Sequence, residues 1–168
     1  RMSRGRTALL HVAVAAVTAL GLTNFELNIA HPAMAAEAVD LELVIATDVS
    51  RSIDVSEARL QREGVAAALR TPAVIDAIRG GYHKKIAVAY IDYSNASETF
   101  IVVDWRIIDS QQSAEAFAEI LTEADLNFGR RTSISEGIEF AARMIEENAY
   151  EGLRRVIDVS GDGPNNHG

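Results

Sequence analysis

The 168-residue chain has no cysteine. That excludes a disulfide framework, thiolate metal sites, iron–sulfur clusters, a cysteine nucleophile and a lipid-modified cysteine. Basic residues are scarce too: 16 Lys and Arg stand against 24 Asp and Glu, a net charge of −8. A general nucleic-acid binder needs clustered Lys and Arg for its phosphate contacts, so this balance argues against that class. No G-x-x-x-x-G-K-[ST] or G-x-G-x-x-G phosphate loop occurs, and no G-x-S-x-G nucleophile elbow. The run Ala8–Leu22 is apolar apart from His11, Thr18 and Gly21, but its 15 residues fall short of the roughly 20 that a membrane-spanning helix needs. With 48% hydrophobic and 24% charged residues, the composition is that of a globular chain, neither disordered nor collagen-like. The length suits one domain.

The first 35 residues read as a secretory signal. Arg1, Arg4 and Arg6 form a positive head, Ala8–Leu22 the apolar stretch, and Ala33-Met34-Ala35 a small-x-small cleavage pattern. Arg1 before Met2 places the start of translation at Met2 or upstream. Removal of residues 1–35 takes away three Arg and one Glu, which leaves residues 36–168 with a net charge of −10. The expected product is an acidic domain delivered to the periplasm or the exterior, with no stable membrane span.

From Val39 onward, strand and helix patterns alternate. Leu41–Thr47 is a nearly continuous apolar run that ends in Asp48, as in a strand covered on both faces. Asp54 and Glu57 form a capping-box pattern for a helix to about Arg70, with Ala58, Val65, Ala68 and Leu69 on its apolar face. Thr71-Pro72 opens a short second helix that Gly80-Gly81 stops. Lys85–Tyr93 and Glu98–Trp105 read as strands, and the short connection makes them an antiparallel hairpin. A third helix spans Gln111 to Ala124. A fourth runs from about Ser133 to Asn148, with Ile134, Ile138, Ala141 and Ile145 as its stripe and Ser133 and Glu136 as its capping box. Arg155–Ser160 is the fourth strand, followed by the turn-rich loop Gly161-Asp162-Gly163-Pro164. The alternation predicts an α/β fold with a mostly parallel sheet and helices on both faces. Right-handed crossovers predict the strand order 3-2-1-4, with strand three antiparallel. A topological switch point then falls between strands one and four, where such folds bind ligands.

Three segments converge on that point. Asp48-x-Ser50-x-Ser52 ends the first strand, Thr132 precedes the fourth helix, and Asp162 follows the fourth strand. In an extended turn, Ser50 and Ser52 point the same way and Asp48 reaches back toward the same centre. Two carboxylates and three hydroxyls are all oxygen donors. Such a set suits a hard divalent cation, Mg²⁺ first, with Mn²⁺ or Ca²⁺ as alternatives. Each element also has a plainer role as a helix cap or turn residue. The joint occurrence at strand ends favours the metal.

Asp48-x-Ser50-x-Ser52, Thr132 and Asp162-Gly163 together resemble the metal-ion-dependent adhesion site of von Willebrand factor type A (vWA) domains. The hairpin from Ile86 to Val103 is similar to that family's second and third strands. The segment Val156–Asn166 resembles a bacterial exported branch of unknown function. The resemblance implies a doubly wound, Rossmann-like α/β fold over residues 36–168. It implies metal-mediated protein binding, with Ser50, Ser52 and Thr132 on the ion directly or nearly so, and Asp48 and Asp162 holding it directly or through water. An acidic side chain from a protein partner then completes the coordination. The family fold continues for about two further strand–helix units, so the resemblance also implies a domain whose C-terminal strands are missing and whose fourth strand is left as an edge.

Two other classes compete with this reading. Haloacid-dehalogenase-like phosphatases use an Asp nucleophile at the end of a first strand, with a second Asp two residues on; here that position is Ser50. A structural module without metal needs only the caps and turns. The remaining candidates point to packing or solvent. Arg51, Arg130 and Arg131 flank the proposed site and read as a solvated loop, with steering of an anionic partner as the alternative, and His83 and His167 read as loop residues without ligand partners. Trp105 ends an edge strand and reads as packing or rim, Tyr90 and Tyr93 belong to the sheet, and Asp92 and Asp104 read as solvent-facing strand ends.

Overall fold

The computed structural model describes residues 35–50, 53–95, 97–130 and 132–161. The expected leader up to residue 34, Ser52, Asp162 and the downstream segment lie outside them. The central strand β1 (Glu37–Asp48) pairs in parallel with β2 (Ile86–Tyr93) and with β4 (Tyr150–Ser160). β3 (Thr99–Ile108) is antiparallel to β2, and the sheet order is β3-β2-β1-β4, as expected. Helices α1 (Val55–Leu69), α2 (Pro72–Arg79) and α3 (Gln111–Glu123) pack with one face, and α4 (Ile134–Glu147) covers the other. None of the described helices is long and apolar enough to cross a membrane.

Alternation along β1 explains the two cores. Ile45 joins Val88, Tyr90, Phe117 and Leu121 on the α1–α3 side. Val44 and Ala46 join Ile91, Tyr93, Ala141 and Ile145 under α4. With both faces covered, the end of β1 reads as an apolar run rather than an alternating one. Every described helix begins on an oxygen cap: Asp54, Thr71, Ser110 and Ser133 each accept from a backbone N–H in the first turn. The fully reciprocal box belongs to Ser110 and Ser113 at α3.

Two apolar faces differ from expectation. On α1 the buried residues are Ala58, Arg62, Ala66 and Leu69, while Ala68 faces solvent. On α4, Ile138 is 41% exposed and Gly137 is buried in its place. A Cβ at Gly137 would stand 2.8 Å from the Tyr93 ring, so the glycine is what lets α4 lie on that aromatic.

β4 begins at Tyr150, five residues before the apolar pattern suggests, because of Glu42. This β1 residue is fully buried. Its carboxylate accepts from Gly152 N (2.6 Å), Asn148 Nδ2 (2.7 Å) and Arg155 Nε (3.2 Å). Those donors hold a polar segment, Tyr150-Glu151-Gly152-Leu153-Arg154, in strand geometry beside β1. Gly152 also needs to lack a side chain, since its Cβ would meet Glu42 Cγ at 3.0 Å. Glu42→Ala is expected to leave buried donors unmet and to lower unfolding stability by about 2–4 kcal/mol in urea titration. A loss below about 0.5 kcal/mol would mean that water replaces the carboxylate.

Candidate functional site

The site grows from the last residue of the central strand. Asp48 is fully buried. Its Oδ1 accepts from Ser50 N at 2.8 Å, which turns the chain immediately after β1 and leaves Ser50 buried beside it. Val49 N donates to Tyr93 O (2.9 Å), so the turn is anchored to the end of β2. Thr132, also buried, directs its Oγ1 at Asp48 Oδ2 with a long 3.4 Å contact.

Two bonds bring Thr132 there from the loop between α3 and α4. Gly129 N donates to Val49 O (2.8 Å), and Ser133 N donates to Ser94 O (2.6 Å). A side chain on Gly129 would overlap Ser94, so only glycine permits that approach. From the third direction comes Gly161. A Cβ added there would lie 2.8 Å from the Tyr93 hydroxyl and 3.4 Å from Asp48 Oδ2. The chain leaving β4 therefore passes against the Asp48 carboxylate one residue before Asp162.

The structure thus brings Asp48, Ser50 and Thr132 together, with Gly161 at their side. Ser52 and Asp162, as well as Arg51, Arg131 and His167, lie outside the described residues. Among the described residues, no Lys, Arg or His forms an ion pair with Asp48. Nor do three His, Cys, Asp or Glu side chains cluster as a metal site among them. A cation here would depend on hydroxyl oxygens for much of its shell, which fits a hard ion rather than zinc or copper. Arg130 is exposed, and its backbone N–H donates to Glu98 Oε2 (3.0 Å).

Two participants escape the motif. Tyr93 sits between Asp48 and Gly161, and its hydroxyl donates to Ser160 O at 3.4 Å. Burial, and then the negative charge of Asp48, push its phenol up to about 12. The second is an ion pair beneath the loop that carries Thr132. Asp92, expected at the surface, is 1% exposed. The reason is Arg62, which projects from the buried face of α1 and reaches Asp92 Oδ2 at 2.7 Å. Asn127 Nδ2 donates to the same oxygen (3.0 Å), and Arg62 also donates to Ala124 O (2.6 Å) and Asp125 O (3.0 Å). The start of the loop is thereby fastened to β2. The sequence does carry a signal for this: Arg62 falls in helical register between Ala58 and Ala66. His83 has no such role; its N–H donates to Asp40, and its ring meets the edge of Tyr82.

A family model described as "Protein of unknown function (DUF1194)" matches residues 38–168. The chain belongs to this family. No curated protein matches it. Among solved structures, the DUF1194 domain is similar to the vWF domain of the type V pili tip protein Mfa5 from Porphyromonas gingivalis. That match has a TM-score of 0.50 and 15% identity, over 77% of this chain and 40% of that one. A structure of three N-terminal domains of Mfa5 matches with a TM-score of 0.46 and 15% identity, over 72% of this chain and 19% of that one. The pilus adhesin RrgA from Streptococcus pneumoniae matches with a TM-score of 0.41 and 18% identity, over 72% and 20%. The DUF1194 chain spans less than half the length of each of these structures. At such identities the likeness is one of fold, and the fold is vWA-like.

The Arg62–Asp92 pair makes a test of how the loop is held. Burial raises the Asp92 carboxyl above its usual range, with Asn127 and Arg62 working against the shift. An acid raised in the folded state contributes stability below its unfolded pKa, and that stability is lost as pH rises through the folded value. Arg62→Met strands the carboxylate, so the cost is expected to reach about 3–5 kcal/mol near neutral pH. Near pH 4 the stranded acid can take a proton, and the deficit relative to wild type should shrink. Chemical denaturation at both pH values measures this. A deficit independent of pH would assign it to the lost carbonyl contacts instead of the carboxylate.

Proposed function

We propose that this domain is a divalent-cation-dependent protein-binding module of vWA type, acting in the periplasm or outside the cell. The observation that carries the reading is the Asp48 carboxylate. It is buried against the Ser50 backbone N–H and the Thr132 hydroxyl, and none of the described cationic side chains pairs with it. Burying an ionised carboxylate without a counter-charge is costly, and a cation held at this point supplies that charge. Mg²⁺ suits the oxygen set best, with Mn²⁺ or Ca²⁺ as alternatives. Asp48, Ser50 and Thr132 would hold it, and the motif adds Ser52 and Asp162. Neutral hydroxyls leave a bound cation strongly electrophilic, so a carboxylate from a protein partner is the group it would take up. The acidic composition fits that scheme, since the ion provides the positive charge that the surface lacks. The positive head and apolar run before Ala35 support export, and the fold-level likeness to pilus-tip vWA domains supports an adhesive role.

A phosphatase reading is less well supported. Ser50 occupies the position where a second Asp would act as acid and base, and its N–H instead donates to Asp48 Oδ1, the would-be nucleophile. In the full-length exported protein, Mg²⁺ is expected to raise the melting temperature. The gain is about 2.7 kcal/mol at a hundredfold excess over the dissociation constant. Asp48→Ala should abolish that response without loss of the fold, and the wild type should not turn over a generic phosphate ester. An equal Mg²⁺ response in wild type and Asp48→Ala would reduce these residues to caps and turns. Metal-dependent ester hydrolysis lost in the mutant would favour the phosphatase.

A further inference from the structure

A second surface lies away from Asp48, between β3 and the carboxyl end of α4. There the helix leaves part of the sheet uncovered and a cleft of about 400 Å³ opens. Trp105 and Tyr150 line it, both half-buried, with ring centroids 6.1 Å apart and planes inclined at 57°. Ile101, 48% exposed, and the half-buried Met144 add apolar wall. The only charged residues in the lining are Asp104 and Glu147. Both are exposed, and neither forms an ion pair among the described residues.

We propose that this cleft receives a lysine or arginine side chain of a partner protein. The chemistry selects the occupant. Tilted aromatic rings attract a cation over their faces. Apolar walls accept the methylene stem that such a side chain carries behind its charge. Two carboxylates at the rim, with no cationic partner among the described residues and with Asp104 Oδ1 accepting only from Trp105 N (2.8 Å), repel an anion, and a purely apolar plug would desolvate them without compensation. Burial raises the Tyr150 phenol pKa first, and the charges of Glu37 and Asp104 raise it further, with Arg106 and Lys85 opposing them. Lys85 is itself tied to Glu37 at 2.5 Å.

The backbone of β3 explains why a side chain is recognised here and not an added strand. Among the described residues β3 bonds only to β2, so its outer edge is unpaired. Its register slips between the partners of Val88, Tyr90 and Ile91, and such bulges disfavour regular edge-to-edge addition. The exposed face of Ile101 then provides apolar contact beyond the cation, which a small amine would leave uncovered.

Trp105 is the only tryptophan among these 168 residues, and the difference in emission between the full-length wild type and its Trp105→Phe variant reads this cleft. The probes are the blocked peptide acetyl-Gly-Val-Lys-Val-Gly-amide, the same peptide with norleucine in place of lysine, and free ethylamine. The lysine peptide should change the Trp105 emission saturably, and the norleucine peptide should bind at least about tenfold more weakly. The double variant Asp104→Asn, Glu147→Gln should lose at least about tenfold in lysine-peptide affinity with its melting temperature unchanged. Asp48→Ala should bind the peptide as the wild type does, because this surface does not depend on the metal reading. Equal binding of lysine and norleucine peptides would overturn the proposal in favour of simple apolar docking. Ethylamine binding as tightly as the peptide would overturn it in favour of a small-amine site. No emission change with the lysine peptide would overturn it outright.

Discussion

One buried carboxylate organises the carboxyl edge of this sheet. Asp48 ends the most central strand, so the core that makes β1 apolar also carries its last residue out of solvent. Hydrogen bonds from Ser50 and Thr132 satisfy part of the group's demand, but they bring no positive charge. The surrounding backbone follows from that demand. The turn after β1, the loop before α4 and the segment after β4 approach the same two oxygens. Glycine stands at two of the approaches, Gly129 and Gly161, where a side chain would collide.

The approach of Thr132 relies on support at a distance. Arg62 spans from α1 to β2 and to the carbonyls that begin the α3–α4 loop. The loop then meets the β1 turn through Gly129 and the β2 turn through Ser133. A buried ion pair is seldom a strong source of net stability, but it specifies geometry because either half alone is costly. In this domain it specifies where a chain of polar residues runs between two helices, and hence where one hydroxyl arrives. At the opposite end of the sheet, Glu42 plays the equivalent part for β4 by gathering three donors. Each face of the fold is therefore apolar in its middle and pinned by a buried charge near one end.

What was legible in the residues depended on range. Helix caps, the Gly80-Gly81 stop and the hairpin are local, and chain pattern revealed them within a residue or two, except that β3 runs to Ile108, three residues past the expected Trp105. The order β3-β2-β1-β4 was legible because crossover handedness leaves few choices. Contacts far apart in sequence were not. Asp92 looks like a solvated strand end until Arg62, thirty residues earlier, is seen against it. The polar segment Tyr150–Arg154 looks like a loop until Glu42 is seen to bind it. Gly137 and Ile138 exchange places because Tyr93 needs the space of a missing Cβ. Of the five oxygen residues that the motif suggested, Ser50 through its N–H and Thr132 through its hydroxyl hydrogen-bond the Asp48 carboxylate, and Ser52 and Asp162 fall outside the described residues.

The central claim is that Asp48, Ser50 and Thr132 form part of a cation site, and anomalous scattering tests it most directly. Crystals of the exported protein grown with Mn²⁺ are expected to show an anomalous peak within about 2–4 Å of Asp48 Oδ2, with serine and threonine hydroxyls in its shell. The same peak should be absent from Asp48→Ala crystals. A well-ordered Asp48 region with no peak at saturating Mn²⁺, or with a cationic side chain seated on the carboxylate, would contradict the account.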